Sequence, residues 1–436
     1  MAVGIPNSLI KAIDVTVQGE SAFLAGIRAA AKEKFLANGL PSRRDEDWKY
    51  TSLKSISGPD FKQSALEATV APEELGRIIS EEDIAIVFVD GILSAALSNL
   101  SALPSGVTIC SLSDSDSVKG ADTKSLTSMI SANDYDGDHC FAQLNRAMLS
   151  HGVVIDVAEG VVLERPLHLA HFITHAENLS APRHVVRAAK NSLVQIIESH
   201  VPTDNLASLT IAAVDVAVAT GATVRHIRLQ NAGDVGIQIG VVKAKVEQGG
   251  CYDTFGFAQG GSLIRNDVWI DLAGENAETK VDGLYLANGS SIIDSHTTID
   301  HNTPKATSRQ LYKGVIDGSA RGVFNGKIIV RQDAQQTQAF QSNKNLLRSS
   351  KAEIDTKPEL QIDADDVKCA HGATIGMLDE NEIFYLQSRG INRENAEAML
   401  SQAFADDVIM RIEDENIRGR VRAHAVKYFS GNKIAG

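Results

Sequence analysis

The hydrophobic pattern divides the chain into helical ends and a long central region of short apolar runs. Residues 18–38 place Leu24, Ile27 and Phe35 at spacings that fall on one side of a helix. Gly39 follows at the position where a helix commonly ends. The pattern therefore predicts an amphipathic helix near the N-terminus.

The region from about residue 152 to residue 378 has a different hydrophobic pattern. Short runs rich in Val, Ile and Leu, such as "LTIAAVDVAVATGATVRHIRLQ", end at Gly, Asn or Asp, and helical periodicity is absent. A β-sandwich would read similarly, but the region is long for one sandwich and has few hairpin turns. Polar runs such as "RQDAQQTQAFQSNKNLL" also suit stacked coils whose amides bond from one turn to the next. We therefore predict a mainly β fold, a parallel β-helix.

Three features precede this region. The charged stretch "PSRRDEDWKYTSLKSI" contains Trp48 and Tyr50 and is either a solvated loop pinned by two aromatic side chains or a functional segment. The stretch "DIAIVFVDGILS" predicts two strands joined by an Asp-Gly turn. Residues 111–138 are rich in Ser, Asp and Gly and predict a loop, which we expect to be mobile at its tip, followed by a short helix in "CFAQLNRAML".

The end of the chain is again predicted to be helical. The segment "DENEIFYLQSRG" precedes a helix that Asn392 can cap, and a last helix follows in "NIRGRVRAHAVKYF". The apolar stripes of these last two helices comprise Ala396, Met399, Leu400, Ala403 and Phe404, and then Ile417, Val421, Ala425 and Tyr428. Two interpretations stay open: the stripes pack against the β-helix, or they form a docking surface for another protein.

The predicted elements divide the chain into three regions. Residues 1–82 form an N-terminal helical region, residues 83–379 form the β-helix core, and residues 380–436 form a C-terminal helical region. Within the core, residues 83–151 are an irregular leading segment that includes the Ser/Asp-rich loop.

Composition and charge restrict the classes of partner. The chain has 436 residues, with 42 Lys and Arg against 55 Asp and Glu, a net charge of −13. This balance disfavours nucleic acid or an anionic membrane as the main partner. The N-terminus lacks a basic segment followed by an apolar run, and no apolar stretch of about 18 residues is present. We therefore expect a cytoplasmic protein without a membrane span.

The cysteines are few and scattered, at Cys110, Cys140, Cys251 and Cys369. This number in so large a chain argues against a disulfide framework. A self-contained zinc site or four-thiolate cluster would need ligands that converge from distant positions. A shared site would need ligands from a second chain.

One thiol–imidazole pair occurs in "VKCAHGATIG". Cys369 and His371 are separated by one residue, so on a strand both side chains project from the same face. A thiolate needs a nearby cation or metal to form near neutral pH, and an imidazole can supply the charge or share the metal. The alternative is that Cys369 is a small buried hydrophobe without a chemical role.

Several enzymatic motifs are absent. The stretch "GVFNGKII" lacks the spacing of a P-loop and the hydroxyl residue after Lys327, so we expect this chain to bind no ATP. No G-x-G-x-x-G, H-E-x-x-H or G-x-S-x-G motif occurs. His296 and His301 would face opposite sides of a regular strand. We interpret both, together with Asp294 and Asp300, as hydrogen-bonded polar residues rather than catalytic ones.

The block from "DGLYLANGSSIIDSHTTIDHN" to "DVKCAHGATIGMLDENEIFYLQSRGI" closely resembles the SufB/SufD family of the SUF iron–sulfur cluster assembly system. The N-terminal "SRRDEDWKYTSL" and the strand pair in "VFVDGILS" resemble the SufD branch of that family. The resemblance extends over nearly the whole chain, except for the Ser/Asp-rich loop. The cysteine-rich N-terminal extension usual in the SufB branch is absent, which favours the SufD branch.

The resemblance implies a right-handed parallel β-helix between helical ends, acting as a scaffold and not as an enzyme. It implies a heterodimer with SufB through the β-helix, a homodimer when the chain is isolated, and a SufC ATPase bound by the C-terminal helical region. The family's "KC-x-H-G" motif falls on Cys369 and His371, so a transient iron–sulfur cluster shared with SufB is expected there. The residues expected to contact the ATPase are Ile383, Phe384, Tyr385, Leu386, Met399, Leu400 and Phe404.

Two other functions stay open at this point. A β-helix enzyme acting on a polysaccharide or acyl substrate would need paired carboxylates or a histidine base, together with aromatic platforms. Two Trp residues and 5% aromatics disfavour it. A purely structural adaptor without metal chemistry is the other, and reconstitution with iron and sulfide would separate it from a scaffold.

Overall fold

The structure is a computed structural model that describes residues 4–15, 22–64, 68–112, 126, 128–130 and 139–430. The expected mobile loop at 111–138 therefore lies mostly outside the described residues. The short helix that was predicted to follow this loop, in "CFAQLNRAML", is confirmed at Cys140–Ala147.

The helices are α1 (Asn7–Ile13), α2 (Ala22–Asn38), α3 (Pro72–Ile78), α4 (Cys140–Ala147), α5 (Glu380–Ser388), α6 (Arg393–Ile409) and α7 (Glu415–Phe429). The strands are β1 (Ile84–Val89), β2 (Ile92–Asn99), β3 (Val107–Ser111), β4 (Val153–Val157), β5 (Leu167–Ile173), β6 (Leu179–Ser180), β7 (Arg183–Ala188), β8 (Leu193–Pro202), β9 (Leu209–Val218), β10 (Thr223–Asn231), β11 (Ile237–Val246), β12 (Cys251–Gln259), β13 (Leu263–Leu272), β14 (Glu278–Ala287), β15 (Ile292–His301), β16 (Thr307–Ile316), β17 (Arg321–Val330), β18 (Gln338–Leu347), β19 (Glu353–Ile362) and β20 (Lys368–Met377).

The strands form two ten-stranded sheets that share one interior. Sheet one runs in the order β2-β1-β5-β8-β10-β12-β14-β16-β18-β20. Sheet two runs β19-β17-β15-β13-β11-β9-β7-β4-β3, with β6 beside β9. From β7 onward, consecutive strands alternate between the sheets and pair in parallel with the equivalent strand of the next coil. The predicted parallel β-helix is confirmed, and the sandwich of antiparallel sheets is excluded.

The coils turn at residues whose backbone is left-handed. One corner of six successive coils is occupied by Asn191, Gly221, Gly249, Asn276, Lys305 and Gln336, all with φ between 57° and 67°. Glycine and asparagine adopt this conformation at low cost, as the predicted Gly and Asn corners require. Lys and Gln at two of the corners obscure the repeat in the sequence.

The interior is a stack of side chains that every second residue of each strand contributes. The main cluster of buried residues runs from Ile84 to Ala364 and consists mostly of Val, Ile, Leu and Ala. Complete burial of a Val, Ile or Leu side chain contributes roughly 1.5–3 kcal/mol. This stack therefore supplies much of the stability of the β-helix.

The N-terminal helices cover the outer face of sheet two. Phe35 of α2 and Phe141 of α4 belong to one buried cluster with Ile211, Ile239 and Leu263 of the sheet. The apolar stripe predicted for α2 is confirmed, because Leu24, Ile27, Ala31 and Phe35 are all buried. Gly39 ends this helix with φ 69°, as predicted.

Trp48 fastens the charged N-terminal segment to the β-helix. Its side chain is buried, and the guanidinium carbon of Arg265 lies 3.7 Å from the ring centroid. Arg265 is fully buried and pairs with Asp267 and Asp294, at 2.8 and 2.7 Å. Trp48 therefore pins the segment to the β-helix while residues 43–47 are exposed, as the solvated-loop interpretation predicts, and a functional role of the segment stays a prediction.

The C-terminal helices cover the outer face of sheet one. Val408 and Ile409 of α6 and Val421 of α7 form one cluster with sheet residues such as Phe257 and Leu286. The stripe predicted for α7 is confirmed at Ile417, Val421 and Ala425, but Phe429 completes it and Tyr428 is only half-buried. Strands that are covered on both faces have nearly continuous apolar sequences, which explains the short runs of Val, Ile and Leu in the central region.

The stripe predicted for α6 is partly wrong in phase. Asn392 caps the helix as predicted, with its side chain accepting a hydrogen bond from the Asn395 amide. Ala396 is buried, but Met399 and Ala403 are exposed, and Leu400 and Phe404 are half-buried. The buried side of α6 instead continues through Ser401, Ala405, Val408 and Ile409. The exposed members of the predicted stripe are therefore available to a partner.

Candidate functional site on the last coil

The predicted pair Cys369 and His371 lies on β20, the last strand of sheet one. Cys369 is in register with Ala339 of β18, and His371 is in register with Gln341. Ala339 and Gln341 are both buried in the interior. Cys369 and His371 therefore project from the same, interior-facing side of the strand, as their spacing predicts.

The side chains on this side of β20 are not covered by another coil, whereas the next coil covers the same side of earlier strands. Cys369 is half-buried against the core, and His371 is exposed. Further along the strand, Ile375 is 52% exposed and Met377 is 65% exposed. β20 and β19 are the terminal strands of their sheets, so each has one edge without a partner strand in the described part of the chain. The site therefore lies at an uncovered end of the β-helix.

The environment of Cys369 keeps its sulfur protonated in the isolated chain. Burial raises the pKa of the Cys369 thiol above its usual value, and the nearby Ala339 amide opposes the shift only partly. A thiolate binds metals and the neutral thiol does not. Cys369 therefore needs a metal ion or a positive group brought by a partner before it can act as a ligand.

A ladder of buried amides leads up to His371. Gln310 donates to Thr297 at 2.8 Å, and Gln341 donates to Gln310 at 2.7 Å. The remaining side-chain oxygen of Gln341 is buried without a hydrogen-bond partner in the described residues. His371 occupies the next position of the same column, so an acceptor without a donor adjoins the imidazole. The bonding of amides between turns, predicted from "RQDAQQTQAFQSNKNLL", is confirmed at Gln341.

The residues predicted to contact an ATPase differ widely in exposure. Ile383 is only 1% exposed, so burial inside the protein makes it unsuitable as a contact. Phe384 is 72% exposed and Tyr385 is 59% exposed on α5, and Met399 of α6 is 51% exposed. These three side chains are called the α5–α6 apolar patch below. The half-buried members of the predicted set are Leu386, Leu400 and Phe404.

The polar residues considered around "DSHTTIDH" have structural partners. His296 and His301 lie on opposite sides of β15, as predicted, because His301 is buried and in register with Leu272 and Val330. His301 contacts the Ser308 hydroxyl at 2.9 Å. Asp300 pairs with Arg331 at 2.6 Å. These contacts support their interpretation as hydrogen-bonded polar residues.

A second cluster of chemically active side chains was missed by the sequence analysis. His171, Glu198 and His200 lie in the interior of the first coils, with ligand atoms within 4.8 Å of one another. Although burial opposes ionisation, hydrogen bonds from His200 and His226 hold the pKa of Glu198 well below its usual value. Glu198 and His200 have the same two-residue spacing as Cys369 and His371, so the signal was present in "QIIESH".

In the described residues, no helix combines the length and the apolar character needed to cross a membrane. Among the described residues, Cys140, Cys251 and Cys369 form no disulfide.

Comparison with known proteins gives the same assignment over both halves of the chain. Residues 171–404 match the family model described as "SUF system FeS cluster assembly, SufBD core domain", and residues 10–169 match the "SufBD protein N-terminal region". The chain is 32% identical over 396 residues to the iron–sulfur cluster assembly protein SufD of Escherichia coli, covering 90% of each chain. It is 32% identical over 423 residues to an iron–sulfur cluster assembly SufBD family protein of Synechocystis, covering 92% of this chain and 90% of that protein. The chain therefore belongs to the SufBD family of the SUF iron–sulfur cluster assembly system.

Proposed function

We propose that this chain is a scaffold subunit that pairs with a SufB-type chain through its last coil and shares a nascent iron–sulfur cluster with it. The observation that carries the proposal is the exposed interior-facing side of β20, where Ile375 and Met377 project from the same side of the strand as His371. At the equivalent positions of inner coils, Tyr285, Ala287 and Ile316 are buried. A partner that covers this side would complete the β-helix.

The strand edges support pairing with a second β structure. An unpaired edge offers a row of amide and carbonyl groups, and addition of a strand from another chain satisfies them. β19 and β20 both end their sheets here, so a partner β-helix could continue both sheets at once. The same edges would let two copies of this chain associate when the SufB-type partner is absent.

The ligand set on this chain is incomplete, which favours a site divided between two subunits. Cys369 and His371 can supply one sulfur and one nitrogen ligand, and an iron–sulfur cluster requires more. His371 is the better ligand of the two, because a neutral imidazole binds metal without losing a proton. A site split across an interface opens when the subunits move, so a cluster, as cargo, can be released.

The α5–α6 apolar patch is the proposed contact for a SufC-type ATPase. Phe384, Tyr385 and Met399 project from helices whose other sides are packed internally. Large exposed aromatic side chains are typical anchors of protein interfaces. The chain lacks a P-loop motif, so in this scheme the nucleotide is bound by the partner.

The cluster site is tested with His371→Ala and Cys369→Ala in cells that depend on the SUF system alone. We expect His371→Ala to leave the complex assembled and to abolish most cluster-dependent enzyme activity. Thr374→Ala is the matched control, because Thr374 is exposed on the opposite side of β20. Full activity with His371→Ala would refute the site.

The ATPase contact is tested with Phe384→Asp and Met399→Asp in co-purification with the ATPase. A truncation is unsuitable, because α6 and α7 cover apolar residues of sheet one. Val426→Asp is the control, since Val426 is 47% exposed on α7, outside the patch. Retention of the ATPase by both patch variants would place the contact elsewhere.

Iron and sulfide reconstitution separates a scaffold from a structural adaptor. The complex is reconstituted with wild-type chain and with the double variant Cys369→Ala/His371→Ala, and the cluster is measured by absorbance. A scaffold requires that the double variant holds less cluster. Equal cluster content would support the adaptor, because the chain would then contribute architecture without a ligand.

A further inference from the structure

The interior of the first coils contains a cluster of imidazoles around one carboxylate. His171 projects inward from β5, and Glu198 and His200 project inward from β8, the neighbouring strand of sheet one. Their exposed fractions are 4%, 2% and 4%. Aliphatic neighbours in the interior of these coils include Leu169, Val194 and Ile196. This placement of polar groups is therefore costly unless each group has a partner.

The hydrogen bonds around His171 assign the protons. The Val153 amide donates to Nδ1 of His184, so the neutral His184 ring carries its proton on Nε2. Nε2 of His184 lies 3.2 Å from Nε2 of His171 and donates to it. The Nε2 lone pair of His171 therefore accepts the His184 proton, and a metal ion at this nitrogen would have to displace that hydrogen bond.

Glu198 joins the other imidazoles of the cluster. Its two oxygens lie 2.7 Å from Nε2 of His200 and 3.1 Å from Nε2 of His226. The rings of His200 and His171 are stacked, with centroids 4.4 Å apart. One ligand atom from each of His171, Glu198 and His200 can be chosen so that all three lie within 4.8 Å of one another. Small side-chain rotations, loss of the His184 hydrogen bond to His171 and a shift of the His200 proton to Nδ1 would bring three ligands to one ion.

A small polar cavity adjoins the cluster. Glu198 and His200 line it together with Arg228 and Gln238, and it has room for about one water molecule. Nε of Arg228 and the side-chain oxygen of Gln238 are buried there without hydrogen-bond partners. An exogenous ligand of a bound ion, such as water, could occupy this space. The Arg228 charge opposes a cation, and the Glu198 carboxylate offsets it.

We propose that His171, Glu198 and His200 form a site for one divalent transition metal, zinc or ferrous iron, inside the first coils. Two imidazoles and one carboxylate are a common ligand set for both ions, which keep a further position for a small ligand. Because the ligands come from two adjacent coils, a bound ion would join β5 to β8 and stabilise this end of the β-helix. This site is separate from the last coil and does not depend on the function proposed for it.

The test measures metal in the purified full-length chain and then uses Co²⁺ as a probe. Because the site is enclosed, the chain is unfolded with a chelator and refolded with Co²⁺, and its visible absorption is recorded. We expect about one tightly bound ion per chain and an absorption band of low-symmetry Co²⁺. Zn²⁺ and Fe²⁺ are then added in separate arms, and the ion that displaces Co²⁺ at the lower concentration is the favoured one.

Glu198→Gln keeps the shape of the side chain and removes its charge, so we expect it to weaken Co²⁺ binding at least about tenfold. His301→Leu is the control, because His301 is a buried histidine outside the cluster, and it should bind Co²⁺ like the wild type. A second variant, His171→Gln, answers the same question if Glu198→Gln does not refold. The proposal is overturned if the wild-type chain refolds without stoichiometric Co²⁺, or if a refolded variant of either ligand keeps the wild-type affinity.

Discussion

One column of the β-helix holds a buried histidine in an inner coil and an exposed histidine on the last strand. His226 on β10 and His371 on β20 occupy equivalent register positions, connected through Thr254, Val281, Gln310 and Gln341. His226 is buried, with hydrogen bonds to Tyr252 and Glu198, whereas His371 is exposed. The residue type and local conformation are the same. The presence of a next coil decides whether the imidazole is a structural group or an available ligand.

Sheet two shows the same contrast. Leu272, His301, Val330 and Ile362 form one column, and the first three are fully buried. Ile362 on β19, the last coil, is 40% exposed. An apolar residue continues the column where no coil covers it, as expected if a partner covers it instead.

The largest predicted effect is a difference in the loss of unfolding free energy between a substitution in an inner coil and one near the last coil. Phe324 on β17 is fully buried, and Phe340 on β18 is 41% exposed. We expect Phe324→Ala to lower the free energy of unfolding by about 3–5 kcal/mol, because it leaves a cavity in the interior stack. Phe340→Ala should cost less than about 1 kcal/mol. Denaturant unfolding of the isolated chain measures both, and equal losses would contradict the contrast.

An intermediate effect concerns pH and the buried His301. Burial lowers the pKa of His301 to about 4 from its ordinary value of 6.5. Between these values the unfolded chain binds a proton that the folded chain does not, so stability falls as the pH falls from 6.5 toward 4. The loss from this group is up to about 3 kcal/mol at the low end of that window.

His301→Leu isolates this contribution, because leucine suits a column that contains Leu272, Val330 and Ile362. The variant should lose less stability than the wild type when the pH is lowered from 6.5 to 4. Unfolding curves at several pH values measure the difference. Parallel pH profiles for the two proteins would show that His301 is not protonated preferentially in the unfolded chain.

The smallest predicted effect on stability comes from the last coil itself. Ile375→Asp places a charge at a position that is already 52% exposed, so the isolated chain should change by less than about 0.5 kcal/mol. Association with the SufB-type partner should nevertheless be lost, because the covered surface would contain an unpaired charge. Sedimentation of the mixed chains measures association. An intact heterodimer would show that the last coil is not the seam.

Much of the fold could be predicted from the sequence, because local patterns report local structure. The stripe of α2, the Asp-Gly turn between β1 and β2 and the Asn392 cap of α6 all depend on neighbouring residues. The turn is confirmed by positive φ at both Asp90 and Gly91. The phase of α6 was wrong at Met399 and Ala403, because several small or apolar residues leave more than one side of that helix able to pack.

The sequence by itself determined that short apolar strands fill the centre of the chain and that Cys369 and His371 share one side of a strand. Alternation along a strand is a local property, so it needs no knowledge of the rest of the fold. The tertiary structure alone decided which coil is last, and therefore that His371 is exposed while Glu198, at the same spacing from His200, is enclosed with His171. The burial of a residue depends on the neighbouring coil, whose residues lie about thirty positions away in the chain. A local sequence pattern does not report whether that coil is present.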